Sequence, residues 1–405
     1  MAIYLDHNAT TPMAPEVFEA MKPYLTSYFG NPSSIHQFGQ QAQKAISDAR
    51  QTLAEFINCD PKEVVFLSGG TESDNTALRG VVKANAKKGR HIITSEFEHH
   101  AVLNTAKALE KEEINVTFLP TMPNGLIRPE DLEAAIRPDT ILVSIMMVNN
   151  ETGVIQPIKE LVTVAKKHGV LFHTDAVQGA GKIQIDVKDL GVDLLTITAH
   201  KFYGPKGIGM LYIKRGTPIR PLIIGGHHEN NRRAGTENVA GIVGFGAAAQ
   251  LAMQHMEKDA EKVGALRDKL ESKVREAIPE ISIAGENAPR VFNTSNILFH
   301  LIEGEGILLN LDIKGVAVST GSACTSGTLE PSHVLLAMHI PSEIGQGAIR
   351  FSLGHDNTAE EIDFVVDQLK EIIPKLRAMS PLWDKFQKGE LNIEALRSEQ
   401  KGCQV

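Results

Sequence analysis

Cysteine is scarce in this chain: Cys59, Cys324 and Cys403 are the only three. Odd in number and far apart, they cannot build the disulfide framework of a secreted scaffold, which points to a reducing compartment and a cytoplasmic protein. An excess of positive charge is also missing, with 41 Lys+Arg against 49 Asp+Glu and a net charge of −8. Without a basic face, neither nucleic acid nor an anionic membrane surface is expected as a partner. The N-terminal Met-Ala-Ile-Tyr-Leu-Asp-His has no basic stretch leading into an apolar one, so no secretory signal is expected. The longest charge-free segment, 238–256, is interrupted by Asn238, Gln250, Gln254 and His255 and is rich in glycine and alanine, which suits a packed internal helix rather than a membrane span. There is no HExxH or CxxC, and adjacent side chains in the pairs His99-His100 and His227-His228 diverge, so no resident metal is expected. No G-x-G-x-x-G lies between a first strand and helix, which sets a nicotinamide cofactor aside.

What is present reads as a large globular protein. Hydrophobic residues make up 42% and charged residues 22% of 405 positions, enough for two or three domains. Short apolar runs at 64–68, 91–95, 140–148, 170–174, 194–198 and 209–213 predict strands. Helical patterns alternate with them, for example Ile158, Leu161, Val162 and Ala165 before a Gly169 stop. Such alternation with near-continuous apolar strands implies an α/β fold, a mostly parallel sheet covered by helices on both faces. From about residue 257 the texture changes. A charged helix is expected over 257–279, strands over 295–301, 317–319 and 348–353, and a further helix opening at Thr358, where Glu361 completes a capping box. The organisation predicted is a large α/β domain over 14–257 and a smaller α+β domain built from 1–13 and 258–405. The last ten residues are expected to fray.

In open parallel sheets, ligands bind beyond the carboxyl ends of the strands. After the run 64–68 comes Gly69-Gly70-Thr71-Glu72-Ser73, a glycine turn into a helix whose bared N–H groups suit a phosphate. After 91–95 come His99 and His100, after 140–148 Asn149 and Asn150, after 170–174 Asp175 and Gln178, and after 194–198 His200 and Lys201. Five strand ends thus offer phosphate donors, an imidazole, an amide, a carboxylate and an amine. That set suits a phosphorylated, nitrogen-containing cofactor held covalently through lysine. Taken singly, each member has an ordinary structural reading; the convergence carries the weight.

The segment Thr196-Ile-Thr198-Ala-His200-Lys201-Phe-Tyr-Gly204-Pro-Lys-Gly207 resembles the lysine signature of the fold-type I, class V pyridoxal-phosphate enzymes. Together with His173-Thr-Asp175-Ala-Val-Gln178, Val148-Asn-Asn150-Glu-Thr-Gly153, Arg232-Arg-Ala-Gly-Thr236-Glu-Asn and Ser319-Thr-Gly-Ser-Ala-Cys324-Thr-Ser-Gly, it is similar to the cysteine desulfurases of the NifS/IscS type. The resemblance implies that Lys201 holds pyridoxal 5'-phosphate and moves the substrate α-proton. It implies that Asp175 faces the ring nitrogen and that His99 stacks on the ring and takes part in proton transfer. Gln178 and Asn150 would bond near the ring oxygen or the substrate, while Gly70, Thr71, Thr198 and His200 would hold the phosphate. Thr236 would reach the phosphate of a neighbouring subunit, which implies a homodimer. Arg350 would grip the substrate carboxylate with its two-pronged donor.

Cys324 discriminates among readings. In the family the resemblance implies, its thiolate takes the sulfur of L-cysteine as a persulfide and L-alanine leaves. Its neighbours, Thr320 to Thr328, are small and polar, as expected of a mobile exposed loop over 319–331. The long form of this loop resembles the group that passes sulfur directly to a NifU/IscU-type scaffold for iron–sulfur cluster assembly, and other matched segments lean towards the nitrogenase-associated NifS side; Cys324 would meet an iron–sulfur cluster only during transfer. A selenocysteine lyase, another class V aminotransferase, or an idle sulfur-relay scaffold on the same fold stays open. An aminotransferase would have no use for the loop thiol.

Overall fold

The structure is a computed structural model and describes residues 2–320 and 331–399. Twelve strands are described: β1 (Ile3–Tyr4), β2 (Val64–Leu67), β3 (His91–Ser95), β4 (Asn115–Leu119), β5 (Thr140–Ser144), β6 (Leu171–Asp175), β7 (Leu194–Thr198), β8 (Gly209–Ile213), β9 (Ile281–Ile283), β10 (Thr294–Phe299), β11 (Val316–Ala317) and β12 (Ala348–Ser352). Seven of them form one sheet in the order β2-β8-β7-β6-β5-β3-β4. All neighbours are parallel except β8, which runs antiparallel to both β2 and β7. Reversing β8 leaves β2 pointing the same way as β7, so the carboxyl ends of β2, β3, β5, β6 and β7 share one edge of the sheet. The strands expected from apolar runs are there. β2, β3, β5, β7 and β8 are buried along their whole length, the signature of a sheet covered on both faces.

Two expectations about strands need correction. The regular strand in the run 140–148 ends at Ser144: Ile145 and Met147 still donate to the His173 and Asp175 carbonyls of β6, but on the other side the Met146 N–H turns to the Glu98 carboxylate at 3.0 Å instead of to a strand. β4 has no counterpart among the predicted strands. It is an edge strand, largely half-exposed, and its five residues become a strand only by pairing with β3, His91 against Asn115 through Ser95 against Leu119.

Helices α1 (Pro15–Thr26), α2 (Gln37–Phe56), α3 (Gly70–Asn85) and α4 (His100–Glu110) pack around this sheet. The helix Val239–Ala277 then runs unbroken for 39 residues. Its first part, Ala240 to Ala249, belongs to the core under the large sheet, and Val263, Leu266, Leu270 and Val274 belong to a second core. The glycine- and alanine-rich segment and the charged helix expected after residue 257 are therefore one element. No helix among the described residues is long and apolar enough to cross a membrane.

The second core lies between that helix, the antiparallel sheet β12-β10-β9, and the helix Ala359–Ala378. Thr358 caps the latter in the expected box with Glu361. β1 pairs in parallel with β11, Ile3 with Val316 and Tyr4 with Ala317. The N-terminal strand is thus tied to the second core, and the residues just after it cross towards the large sheet. Near the other end, the helix Ile393–Glu399 seats Ile393 in a cluster with Phe97, Met338 and Ile344, so the expected fraying does not include this helix.

Candidate active site

At the carboxyl edge of the large sheet lies a cavity of about 320 Å³, within the roughly 300–1,000 Å³ of small-molecule pockets. Gly70, Thr71, His99, Asn150, Asp175, Gln178, Thr198, His200, Lys201 and Arg350 all line it. Ten positions spread over 280 residues of sequence are brought to one hollow. A larger groove of about 970 Å³ lies elsewhere, but its charged pair, Arg128 and Asp131, is already joined at 2.6 Å.

The local causes are visible strand by strand. Gly69 caps α3 without a side-chain bond, so the helix's first N–H groups remain open, and Gly70 and Thr71 line the cavity there. Glycine is required where this turn meets the sheet: a Cβ on Gly209 of β8 would lie 2.8 Å from the Gly69 backbone. His99 caps α4 by accepting the Ala101 N–H on Nδ1 at 3.1 Å. That bond puts the ring's proton on Nε2 whenever the ring is neutral. Burial, with Lys201, His100 and His333 nearby, brings the His99 pKa down to about 4. Asp175 ends β6 and accepts the Val177 N–H at 2.9 Å; burial lifts its carboxyl to about 6, opposed by that bond and by Lys201. His200 is likewise held neutral, near 4, by burial and by Lys201.

Lys201 follows β7 in a single helical turn and donates to the carbonyls of Asn8 and Ala9 at 2.6 and 2.8 Å. Burial and Arg350 pull its pKa down to about 8. Arg350 comes from β12, across from the second core, and donates to the Asn150 carbonyl at 3.0 Å and to Asp6 at 2.7 Å; its buried Nε–H has no partner among the described residues.

Two expected residues stand apart. Thr236 is exposed and lines a different hollow with Ser68, Glu229 and Arg233, so it does not belong to the cavity of its own chain. Cys324 lies outside the described residues. Among the described residues, no group of three or more His, Cys, Asp or Glu side chains could hold a metal ion.

The cavity also holds residues that sequence reasoning left without a role: Asn8, Ala9 and Asp74. Asp74 was findable, since it follows Gly70 by four residues on the same face of α3. Burial and the proximity of Asp175 keep its carboxyl well above the usual range. Asn8 carried no such signal, because it reaches the cavity only through the pairing of β1 with β11.

The donor set fits a phosphorylated pyridine aldehyde. An open helix N-terminus with the hydroxyls of Thr71 and Thr198 suits the phosphate, a buried carboxylate suits a ring nitrogen, and a depressed lysine amine suits the aldehyde. Residues 3–365 match the family model described as aminotransferase class-V. The cysteine desulfurase IscS of Dictyoglomus turgidum is 53% identical over 379 residues, 94% of this chain and 96% of that protein. The chain belongs to the cysteine desulfurases of the class-V aminotransferase family.

Other relatives of this desulfurase agree over similar lengths. IscS of Methanosarcina thermophila is 51% identical, covering 95% of each chain. A solved NifS-like protein superposes with a TM-score of 0.88 at 38% identity, covering 93% of this chain and all of that one. The structure of SspA in complex with cysteine has a TM-score of 0.78 at 36% identity, covering 87% and 98%. The cofactor of this desulfurase is pyridoxal 5'-phosphate, as in its family.

Proposed function

We propose that this desulfurase transfers the sulfur of L-cysteine to Cys324, with Lys201, His99, Asp175 and Arg350 as the working groups around one cavity. The observation that carries the reading is how the chain enters and leaves the segment bearing Cys324. On one side, Ser319 and Arg350 exchange both backbone hydrogen bonds, at 2.7 and 3.2 Å. On the other, the His333 ring meets the carbonyl of Glu98, next to His99, at 2.9 Å. Both flanks are moored to the cavity wall. An extended chain spans at most about 3.5 Å per residue, so chain connectivity alone limits Cys324, five residues on, to about 17 Å from Ser319.

Pyridoxal phosphate supplies an electron sink for bond cleavage next to the substrate amine. Gly70, Thr71, Thr198 and His200 hold its phosphate, and Asp175 faces its ring nitrogen. Gln178 and Asn150 orient ring and substrate. Arg350 binds the substrate carboxylate. Lys201 takes the α-proton and returns one to the α-carbon before alanine leaves, its pKa of about 8 leaving a useful fraction of neutral amine near neutral pH. His99, neutral and carrying its proton on Nε2, donates a hydrogen bond inside the cavity and takes part in proton transfer there. The Cys324 thiolate attacks the substrate sulfur: an S–S bond forms, the C–S bond breaks, and the thiol proton of the substrate ends on the former β-carbon. The products are L-alanine and a persulfide on Cys324, and no external oxidant or reductant is needed.

A homodimer, with Thr236 reaching the partner's cofactor phosphate, is supported by exposed apolar surface. Phe29 and Phe38 stack at 5.6 Å while largely exposed, and Ile35 and Ile224 are more exposed still. Such surface on a chain of this size marks an interface. A NifU/IscU-type scaffold for iron–sulfur cluster assembly is the proposed acceptor, and the cytoplasm the proposed compartment.

The test is direct. The purified protein, loaded with pyridoxal phosphate and given L-cysteine and a thiol reductant, should form alanine and sulfide in equal amounts. Cys324→Ser should abolish both while cofactor binding persists. Alanine formation by the Cys324→Ser protein at the wild-type rate would overturn the role of Cys324.

A further inference from the structure

Behind the cavity lies a buried lysine that the reaction does not use. Lys182 is 9% exposed. Its ammonium donates to the backbone and side-chain oxygens of one residue, Gln178, at 3.2 and 2.7 Å. Among the described residues no carboxylate lies within ion-pair distance of it. Burial, together with Lys201 and Arg350, pulls its pKa down to about 7. A buried cation without a counter-charge is costly, and an apolar chain of similar volume would fill the space at less cost. Packing alone therefore does not account for a lysine here.

The geometry of Gln178 does. Lys182 donates to the Gln178 amide oxygen at 2.7 Å, and in its protonated form, below a pKa of about 7, it is only a donor and holds that oxygen towards itself. The amide nitrogen must then face the other way, and it donates to the Asn8 carbonyl at 2.8 Å. That same carbonyl accepts from Lys201 at 2.6 Å. Gln178 is itself buried and lines the cavity. Without a donor-only neighbour, its amide could turn over and present oxygen towards the cavity.

We propose that Lys182 is a positioning residue for the desulfurase reaction: it locks the Gln178 amide with its N–H₂ face towards the cavity, where that face donates to the bound cofactor and to the Asn8 carbonyl that seats Lys201. The inference rests on the reading that pyridoxal phosphate occupies the cavity beside Gln178.

Apoenzyme titrated with pyridoxal phosphate, and holoenzyme followed by its visible band against pH, test the lock without relying on turnover. Lys182→Met should weaken cofactor affinity about tenfold, the worth of roughly one lost hydrogen bond. It should also shift the pH at which the visible band changes, and lower kcat with little change in KM for cysteine. Lys182→Arg, again only a donor, should restore the wild-type band and affinity. In a Gln178→Ala background, Lys182→Met should have no further effect on affinity or spectrum. Wild-type affinity and spectrum in Lys182→Met, or additive effects in the double variant, would overturn the proposal. Loss of folding in Lys182→Met and Lys182→Gln alike, seen by circular dichroism, would overturn it too, since the lysine would then be structural. Failure of the wild-type apoenzyme to bind pyridoxal phosphate at all would instead sink the reading of the cavity itself.

Discussion

The amine of Lys201 donates to the backbone carbonyl of Asn8 at 2.6 Å, across 193 positions of sequence. The lysine proposed to hold the cofactor is therefore seated by the N-terminal segment, and that segment is itself held by side-chain bonds. The Asn8 amide donates to the Asn150 carbonyl at 3.0 Å and to Thr294 at 2.9 Å, and it accepts from Asn293 at 3.1 Å. Asn8→Ala removes three buried hydrogen bonds and leaves partners unsatisfied, so it should destabilise the protein by about 2–4 kcal/mol. Denaturant unfolding measures that loss, and the variant should also release its cofactor faster on dialysis.

Arg350 acts on Lys201 through space. As a neighbouring cation it lowers the amine's pKa; removing it raises that pKa towards the ordinary 10.5. The rate at which apoenzyme captures pyridoxal phosphate should therefore rise with pH through a midpoint near 8 in the wild type and at higher pH in Arg350→Met. Arg350→Lys keeps the cation and should keep the midpoint. It loses the two-pronged carboxylate grip, so its KM for cysteine should rise about tenfold or more.

His99 is held neutral down to about pH 4. The pH–rate profile should accordingly show no His99 inflection near 6.5, where an ordinary histidine titrates. His99→Ala should retain bound cofactor and lose about 10²–10⁴-fold in kcat, the usual worth of a positioned proton-transfer group. An unchanged kcat would remove His99 from the proton path.

Glu98, beside His99, is fully buried. Its Oε1 accepts from Ser95 at 2.7 Å and from the Met146 N–H at 3.0 Å, and its Oε2 has no partner among the described residues. Burial raises its pKa to about 8. A folded pKa above the unfolded value means a contribution present at low pH and lost as pH rises from about 4.5 through 8. Glu98→Gln, a neutral mimic of the protonated acid, removes that loss. The stability difference between variant and wild type should thus grow in favour of the variant between pH 5 and 8, reaching on the order of a few kcal/mol. Thermal unfolding at both pH values checks the sign.

Much of the site could be read from the chain because each parallel strand ends in the residues that line the cavity. An apolar run followed by Gly69-Gly70-Thr71, by His99, by Asp175 or by His200-Lys201 fixes both the strand and the group at its tip, since strand direction sends every tip to one edge. The edge strand β4 escaped because five half-exposed residues carry little hydrophobic pattern, and their conformation comes from the ladder with β3. The helix Val239–Ala277 escaped as one element because its buried face changes chemistry midway, from glycine and alanine against the large sheet to branched residues against the second core.

The order of residues alone pointed to a phosphorylated cofactor held through lysine: an amine, a carboxylate, an imidazole and a phosphate turn stand at successive strand ends, because turns and helix starts are written in neighbouring residues. The desulfurase chemistry and the role of Cys324 came from the resemblance of whole segments to that family. Tertiary structure alone decided which backbone carbonyls receive Lys201, that Arg350 crosses over from the second core, and that Lys182 stands behind Gln178. Those facts depend on burial and on pairings between segments far apart in the chain, and no pattern of neighbours encodes the desolvation that sets a pKa or the single direction in which an amide can face.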